Sequence, residues 1–170
     1  MIFDRPKLRI DGPLTSGPTA PVSHKLLGWQ ERVCLPNFGN ETLVAKIDSG
    51  ALSSCLHAID IRTRWTGKAL RVSFNTAHPA GWGHQQRRYS ARIVDEVIVR
   101  SSHGTLERRY VIETQLQLGE NRQLIRLSLT DRSAMQFALL IGRDALQDQY
   151  LIDCSRCFLA SNCESMPADN

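Results

Sequence analysis

The features that mark membrane-spanning and secreted chains are missing from this 170-residue sequence. No run approaches the roughly 18 consecutive apolar residues that a spanning helix requires. The start, MIFDRPKLRIDGP, has no apolar segment behind a basic one, as a signal peptide would. The five cysteines are an odd number, which does not suit a secreted disulfide framework. These absences predict a cytoplasmic protein that makes no contact with a membrane.

A strong charge of one sign is absent as well. The net charge is +4 and the pI is about 9.0. This bias fits an acidic partner but is too weak to indicate nucleic acid by itself. No recognisable nucleic-acid motif is present, so the sequence predicts no nucleic-acid partner. The nucleotide-binding pattern G-x-x-x-x-G-K-[ST] is also missing.

The histidines and cysteines lack the spacing of a metal site. The histidines, none of which forms H-E-x-x-H or another zincin pattern, are His24, His57, His78, His84 and His103. We expect His57 to pack or hydrogen-bond. Cys154 and Cys157 form a C-x-x-C pair, but it falls in an apparent strand rather than at the start of a helix. We interpret these two and Cys163 as structural or incidental thiols, and expect no metal and no cofactor.

Proline and glycine indicate how the chain is divided. Residues 1–24 hold four prolines and two glycines and predict a flexible N-terminal arm. Residues 25–160 predict one domain, and residues 161–170 a frayed tail. Short β-rich runs separated by turn signals fill the domain, and GRDALQDQ is its one helix-like stretch. We predict an all-β fold with one short helix, in the form of a small closed barrel.

One carboxylate stands out because an apolar strand, TLVAKI, leads directly into Asp48. A lone buried carboxylate is costly unless it is hydrogen-bonded. The Ser49 hydroxyl and the N–H groups of a turn could supply those bonds, and Gly50 permits the tight bend. On these three residues alone, an Asx turn that ends a strand is the simpler interpretation.

The wider context resembles the retropepsin-like aspartic peptidases. The segments that carry the resemblance are AKIDSGALSS and, much later in the chain, FALLIGRDAL, with two hairpins between them. The span 27–159 resembles more closely a bacterial family called "ATP-dependent zinc protease", which is associated with RimK-type glutamate ligases. LGWQERVCLPNFG, RRYVIETQLQLG and YLIDCSRCFL support this closer resemblance.

The resemblance implies a role for particular residues. Asp48 matches the catalytic aspartate, and Ala51 stands where the family has a small residue. Gly142 matches the glycine that packs beneath the active-site loop, and Arg143 the arginine that opens the following helix. The acid that often pairs with this arginine is missing from the positions after Ala51. We therefore expect Arg143 to bind another group, such as Asp144 or a carbonyl.

Hydrolysis of a peptide bond by carboxylates takes two of them, which share a proton and activate a water molecule. The chain has no second Asp-Ser/Thr-Gly. A symmetric partner would supply the second Asp48, which predicts a homodimer with one active site. The resemblance also implies a hairpin lid, whose tip would be Ser101, Ser102, His103 and Gly104.

The predicted function is therefore that of an aspartic endopeptidase acting on protein or peptide. A basic stretch could form the rim of its cleft and attract acidic peptide; its members are Arg62, Arg64, Lys68, Arg71, Arg87, Arg88 and Arg92. The link to a glutamate ligase suggests glutamate-rich or polyglutamate-tailed substrates. Two alternatives stay open: a non-catalytic module of the same fold that binds acidic peptide, and a zinc metallopeptidase, as the family label says.

Overall fold

The computed structural model describes residues 24–39, 41–78, 87–100, 106–146 and 149–160. The strands are β1 Lys25–Gly28, β2 Gln30–Cys34, β3 Thr42–Ile47, β4 Ser54–His57, β5 Ile59–Thr66, β6 Ala69–Asn75, β7 Arg88–Arg100, β8 Leu106–Leu118, β9 Asn121–Thr130, β10 Leu139–Ile141 and β11 Tyr150–Asp153. The helical elements of the described residues are two 3₁₀ turns, Pro36–Phe38 and Arg143–Ala145. The prediction of a mostly β fold is confirmed. The predicted helix, in GRDALQDQ, is a single 3₁₀ turn over Arg143–Ala145.

Six of the strands form a closed ring. The hydrogen-bonded order β2-β3-β10-β4-β9-β8 returns to its start, because β2 pairs with both β3 and β8. β7, β6 and β5 continue the sheet outward from β8. The two hairpins predicted between the Asp48 loop and FALLI are present as β7–β8 and β8–β9. Strand pairing that returns on itself leaves no free edge within the ring, which is the advantage of closure.

The sequence did not indicate β5. Its residues after Ile59 are exposed along the whole strand, so there is no alternation of apolar and polar side chains to detect. Its partner β6 does alternate, with Val72 and Phe74 fully buried. β5 forms because the chain turns back tightly at Gly67, whose φ is +59°.

β10 determines where the functional loops meet. Leu139 and Ile141 are fully buried, as predicted for an apolar run covered on both faces. β10 lies between β3 and β4, parallel to the first and antiparallel to the second, with Ile141 opposite Ile47. Because β3 and β10 are parallel and in register, the residues that follow them leave the ring side by side.

A buried carboxylate fixes the segment after β11. Glu31 is fully buried, and its Oε1 accepts backbone N–H groups from Gly28 at 2.7 Å, Leu159 at 2.8 Å and Ala160 at 3.2 Å. Several such donors make the burial of a charge tolerable. The segment is thereby held against β2, and β11 pairs in parallel with β1.

The predicted N-terminal arm and C-terminal tail fall on residues 1–23 and 161–170, which lie outside the described residues. The division into arm, domain and tail therefore stays a prediction. Among the residues that the structure describes, no helix has the length and apolar character needed to cross a membrane.

Candidate active site

Asp48 follows directly after β3. Its N–H donates to the Ile141 carbonyl at 2.9 Å, which ties the start of the loop to β10. The Gly50 N–H donates to Asp48 Oδ1 at 2.9 Å, and the Ala51 N–H donates to the Asp48 carbonyl at 3.3 Å. A Cβ at position 50 would lie only 3.1 Å from Asp48 Oδ1. Glycine therefore lets the backbone amide approach the carboxylate.

The Gly142–Arg143 segment supports this loop from below. Arg143 Nη1 donates to the Ser49 carbonyl at 2.7 Å, and the Arg143 N–H donates to the Ala51 carbonyl at 3.0 Å. The partner of the arginine is thus a carbonyl, one of the two kinds expected. A Cβ at position 142 would lie 2.6 Å from the Ser53 carbonyl carbon. The two segments approach so closely that only a glycine fits without displacement.

Lys46 is the cation next to Asp48. Two residues apart along an extended chain, the side chains lie on the same side, and Lys46 Nζ is 3.0 Å from Asp48 Oδ2. Partial burial acts to raise the pKa of Asp48, but the hydrogen bonds from Lys46 and Gly50 and the charge of Lys46 outweigh it. The pKa of Asp48 therefore lies below its usual 3.8, and the carboxyl is ionised at neutral pH.

Asp48 lies in a cleft of about 980 Å³. It is the one carboxylate among the described residues that line this cleft, whereas Lys46, Arg109 and Arg132 line it as cations. Arg109 donates to Glu107 Oε2 at 2.6 and 2.9 Å. One protomer thus offers a single acid in a largely cationic cleft, which is half of what a carboxylate dyad needs.

Two buried histidines hold Arg132 in place. His57 Nδ1 accepts the Arg132 N–H at 2.9 Å, so Nε2 carries the proton and donates to the Ala77 carbonyl at 3.0 Å. Burial, and then the neighbouring ring of His78, lower the pKa of His57, so that the ring is neutral at pH 7. His78 Nε2 donates to the Arg132 carbonyl at 3.0 Å. Both polar groups of the Arg132 backbone are therefore fixed.

The Arg132 side chain bonds to neutral groups. Its Nε donates to the Phe137 carbonyl at 2.9 Å, and its Nη1 contacts Cys55 Sγ at 3.1 Å. Burial raises the pKa of the Cys55 thiol, despite the opposing charge of Arg132. The thiol is thus uncharged at neutral pH, and the guanidinium keeps its positive charge available to the cleft.

Several predicted residues lie elsewhere. The predicted lid tip, residues 101–104, lies outside the described residues, although Val99 near the end of β7 lines the cleft. None of the described members of the basic stretch lines it. Cys154 and Cys157 are exposed free thiols. Within the described ranges, no three His, Cys, Asp or Glu side chains cluster closely enough to hold a metal ion.

The cleft cations were missed at the sequence level. Lys46 could have been found, because it alternates with Asp48 on one side of β3. Arg109 and Arg132 give no local signal, since they come from β8 and from the loop after β9. Only the closed ring brings them to the Asp48 loop.

Comparison with known proteins decides the family. A model of the RimB-like family, described as retropepsin-like aspartic endopeptidase RimB, matches residues 26–162. The chain belongs to the RimB-like family. Its Asp48 loop and the supporting Gly142–Arg143 segment both fall inside the matched region. The resemblance predicted from the sequence is confirmed.

Curated relatives of this RimB-like chain are longer proteins. It is 35% identical over 136 residues to a probable alpha-L-glutamate ligase of Desulfotalea psychrophila, and 35% identical over 134 residues to one of Shewanella pealeana. Each match covers 78% of the chain but only 28% and 29% of the relatives. Among solved structures, Lpg0085 of Legionella pneumophila, a DUF785 protein of unknown function, superposes with a TM-score of 0.68 at 27% identity. That match covers 82% of this chain and all of the other.

Proposed function

We propose that this RimB-like chain is an aspartic endopeptidase whose active site forms when two protomers bring their Asp48 residues together. The observation that carries the proposal is the Asp48 loop: its carboxylate is ionised, hydrogen-bonded by Gly50 and placed in a large cleft. A protomer supplies one such group among the described cleft residues. A two-fold axis is the economical way to obtain the second.

The two carboxylates would share one proton. The ionised Asp48 accepts a proton from water as the water oxygen bonds to the substrate carbonyl carbon, and the protonated Asp48 hydrogen-bonds the carbonyl oxygen. The tetrahedral intermediate then breaks its C–N bond while a carboxyl returns a proton to the leaving nitrogen. The products are a free carboxylate and a free amine, and the dyad is regenerated.

Exposed apolar groups beside Asp48 support the homodimer. Leu52, directly after the active-site loop, is 67% exposed, and Met135, which also lines the cleft, is 54% exposed. Large apolar side chains next to a functional loop are typical of surfaces that a partner covers. A partner related by a two-fold axis would cover them and bring in the second carboxylate at once.

The proposed substrate is a polypeptide with a glutamate-rich segment, met in the cytoplasm. Arg132 has no salt bridge to a carboxylate in the described part of the chain, and it lines the cleft. An arginine fork held in this way suits a carboxylate of the substrate. The names of the longer relatives, probable glutamate ligases, agree with a functional link to glutamate addition. The β7–β8 hairpin, which reaches the cleft at Val99, would close over the bound chain.

The test is the activity of purified Asp48→Asn on glutamate-rich peptides. Asparagine keeps the shape of the side chain but cannot share a proton. We therefore expect a folded dimer whose rate of peptide cleavage is lower by about 10²–10⁴-fold. Asp95→Asn is the control, because Asp95 is an exposed carboxylate on β7 that pairs with Arg126, and neither residue lines the cleft. Undiminished cleavage by Asp48→Asn would refute the aspartic mechanism. Binding without cleavage by the wild type would favour the non-catalytic module, and loss of cleavage with a chelator would favour the metallopeptidase.

A further inference from the structure

Strand pairing gathers five arginines on one face of the outer sheet. Residues directly opposite each other across paired strands point to the same face. Arg64 lies opposite Arg71, which lies opposite Arg92, so that three arginines form a row across β5, β6 and β7. Arg62 lies two residues along β5 from this row, and Arg88 lies opposite Asn75 on the same face.

This arginine face, made of Arg62, Arg64, Arg71, Arg88 and Arg92, is not neutralised by acidic side chains in the described part of the chain. No salt bridge joins any of the five to a carboxylate among the residues that the structure describes. Arg71 instead donates to the Ser90 carbonyl at 3.3 Å, and Arg88 donates to Ser73 Oγ at 3.1 Å. Like charges directly opposite one another destabilise a sheet. The row of arginines therefore destabilises the sheet, and binding of an anionic ligand would explain why the arginines are present.

Protection of the sheet edge does not explain the whole face. β5 is the last strand of the order, and within the described ranges it pairs with β6 alone. Charged residues on such an edge discourage unwanted pairing, which accounts for Arg62 and Arg64. Arg71 and Arg92 lie on interior strands, where no edge needs protection. A second copy of the chain is an unsuitable occupant, because its β5 would place arginines against arginines.

The geometry points to an acidic polypeptide as the ligand. A strand added to the β5 edge would place every second side chain over the arginine face, about 6.7 Å apart. Arg62 and Arg64 have the same spacing along β5. Single-stranded nucleic acid is bound through aromatic stacking as well as cations, but Trp65 and Tyr89 alternate to the opposite face from Arg64 and Arg88. As far as the described residues go, the arginine face thus offers charge without a stacking platform.

We propose that the arginine face and the β5 edge bind an acidic segment of a polypeptide as an added strand, at a site separate from the Asp48 cleft. None of the five arginines lines that cleft. The proposal goes beyond the proposed function, since binding here requires no hydrolysis. It can therefore be tested in Asp48→Asn, because peptide binding to the arginine face does not depend on whether the wild type cleaves peptides.

The experiment measures binding of a labelled peptide of about twelve residues with alternating Glu and Thr, by fluorescence anisotropy at low salt. In the Asp48→Asn background we expect Arg64→Glu to raise the Kd at least about tenfold, and the neutral pair Arg62→Ser with Arg64→Ser to weaken binding less. Both residues are exposed on β5, so folding should persist, as circular dichroism will check. Arg156→Glu, an exposed arginine after β11, is the matched control and should change the Kd less than about twofold.

Hydrogen exchange on the same complex locates the peptide. Slower exchange of the β5 amides on peptide binding supports the added strand. Protection confined to the Asp48 loop, or an unchanged Kd in Arg64→Glu, would overturn the proposal. A single-stranded RNA of the same length that binds more tightly than the peptide, and is lost in Arg64→Glu, would show a phosphate-binding surface instead and would also overturn it.

Discussion

The pair formed by Lys46 and Asp48 sets the charge state of the candidate active site. Their side chains are 43% and 19% exposed and 3.0 Å apart. In one protomer this pairing favours the ionised carboxylate. In a dyad, where the two carboxylates share a proton, mutual repulsion raises one of the two macroscopic pKa values. Lys46 therefore opposes that repulsion and extends the pH range in which one carboxylate is ionised.

Replacing Lys46 with Met should shift the acidic limb of the pH profile of kcat/KM to higher pH. The lysine lowers the pKa of Asp48, so its removal raises that pKa, and a higher pH is then needed to ionise the general base. The measurement is kcat/KM on a neutral peptide, so that lost attraction for an acidic substrate does not interfere. Lys25→Met, an exposed lysine that bonds to Asn121, is the control. An acidic limb that stays in place, or moves to lower pH, would contradict the assigned role.

At the scale of elements, β10 and its following turn define the shape of the Asp48 loop. Two carbonyls of the loop accept hydrogen bonds from this turn. The Arg143 N–H donates to the Ala51 carbonyl, and the Asp144 N–H donates to the Leu52 carbonyl at 2.9 Å. Ser54 Oγ accepts the N–H of Gly142 at 3.0 Å. These bonds link two segments that are distant in sequence, so the carboxylate is held by a rigid support rather than by a free loop.

Gly142→Ala should therefore damage both stability and activity. The φ of −90° suits alanine, so the effect is steric: the new Cβ would lie 2.6 Å and 2.7 Å from the carbonyl carbon and oxygen of Ser53. We expect a loss of about 1–3 kcal/mol in the free energy of unfolding, measured by urea titration, together with lower kcat. Gly67→Asn is the control: nothing lies near its Cβ, and asparagine tolerates the positive φ there. Full stability in Gly142→Ala would show that the loops can separate without cost.

At the scale of the whole molecule, the proposed peptidase activity depends on assembly, because one protomer supplies half of the proposed dyad. Activity per protomer should then fall on dilution below the dimer dissociation constant. An excess of Asp48→Asn subunits should also inhibit the wild type once subunits exchange. The strand β11 pairs with β1 in the same protomer, and Leu151 on it remains 57% exposed.

Leu52→Arg should weaken the dimer and reduce activity without unfolding the protomer. A two-fold axis near Asp48 would place two such arginines close together and remove apolar contact, so we expect the dissociation constant to rise at least about tenfold. Analytical ultracentrifugation measures this directly. Leu124→Arg on β9 is the matched control, since Leu124 is also an exposed leucine, at 60%, and lies outside the cleft lining. Equal dimerisation by both variants would place the interface elsewhere.

Three features could be predicted from the amino-acid sequence alone: the Asp48 loop, the two hairpins after it and the apolar strand β10. Each depends on residues that are adjacent in sequence. The loop follows an apolar run into Asp-Ser-Gly, the hairpins show apolar and polar residues alternating with a period of two, and β10 is a continuous apolar run. The supporting role of Gly142 and Arg143 could be predicted from the family resemblance, because both follow that apolar strand directly.

Two features could not be predicted from the sequence, because they depend on how the strands pair: the distant cations around Asp48 and the set of arginines that share one face. Arg109 and Arg132 reach the cleft because the ring closes through β2 and β8. Arg64, Arg71 and Arg92 align because three strands pair in one register. Register is fixed by burial of the opposite face, where Val72 and Phe74 pack into the core. A surface side chain contributes little to the choice of register. The residues next to it in sequence therefore do not predict which residues it contacts in the folded protein.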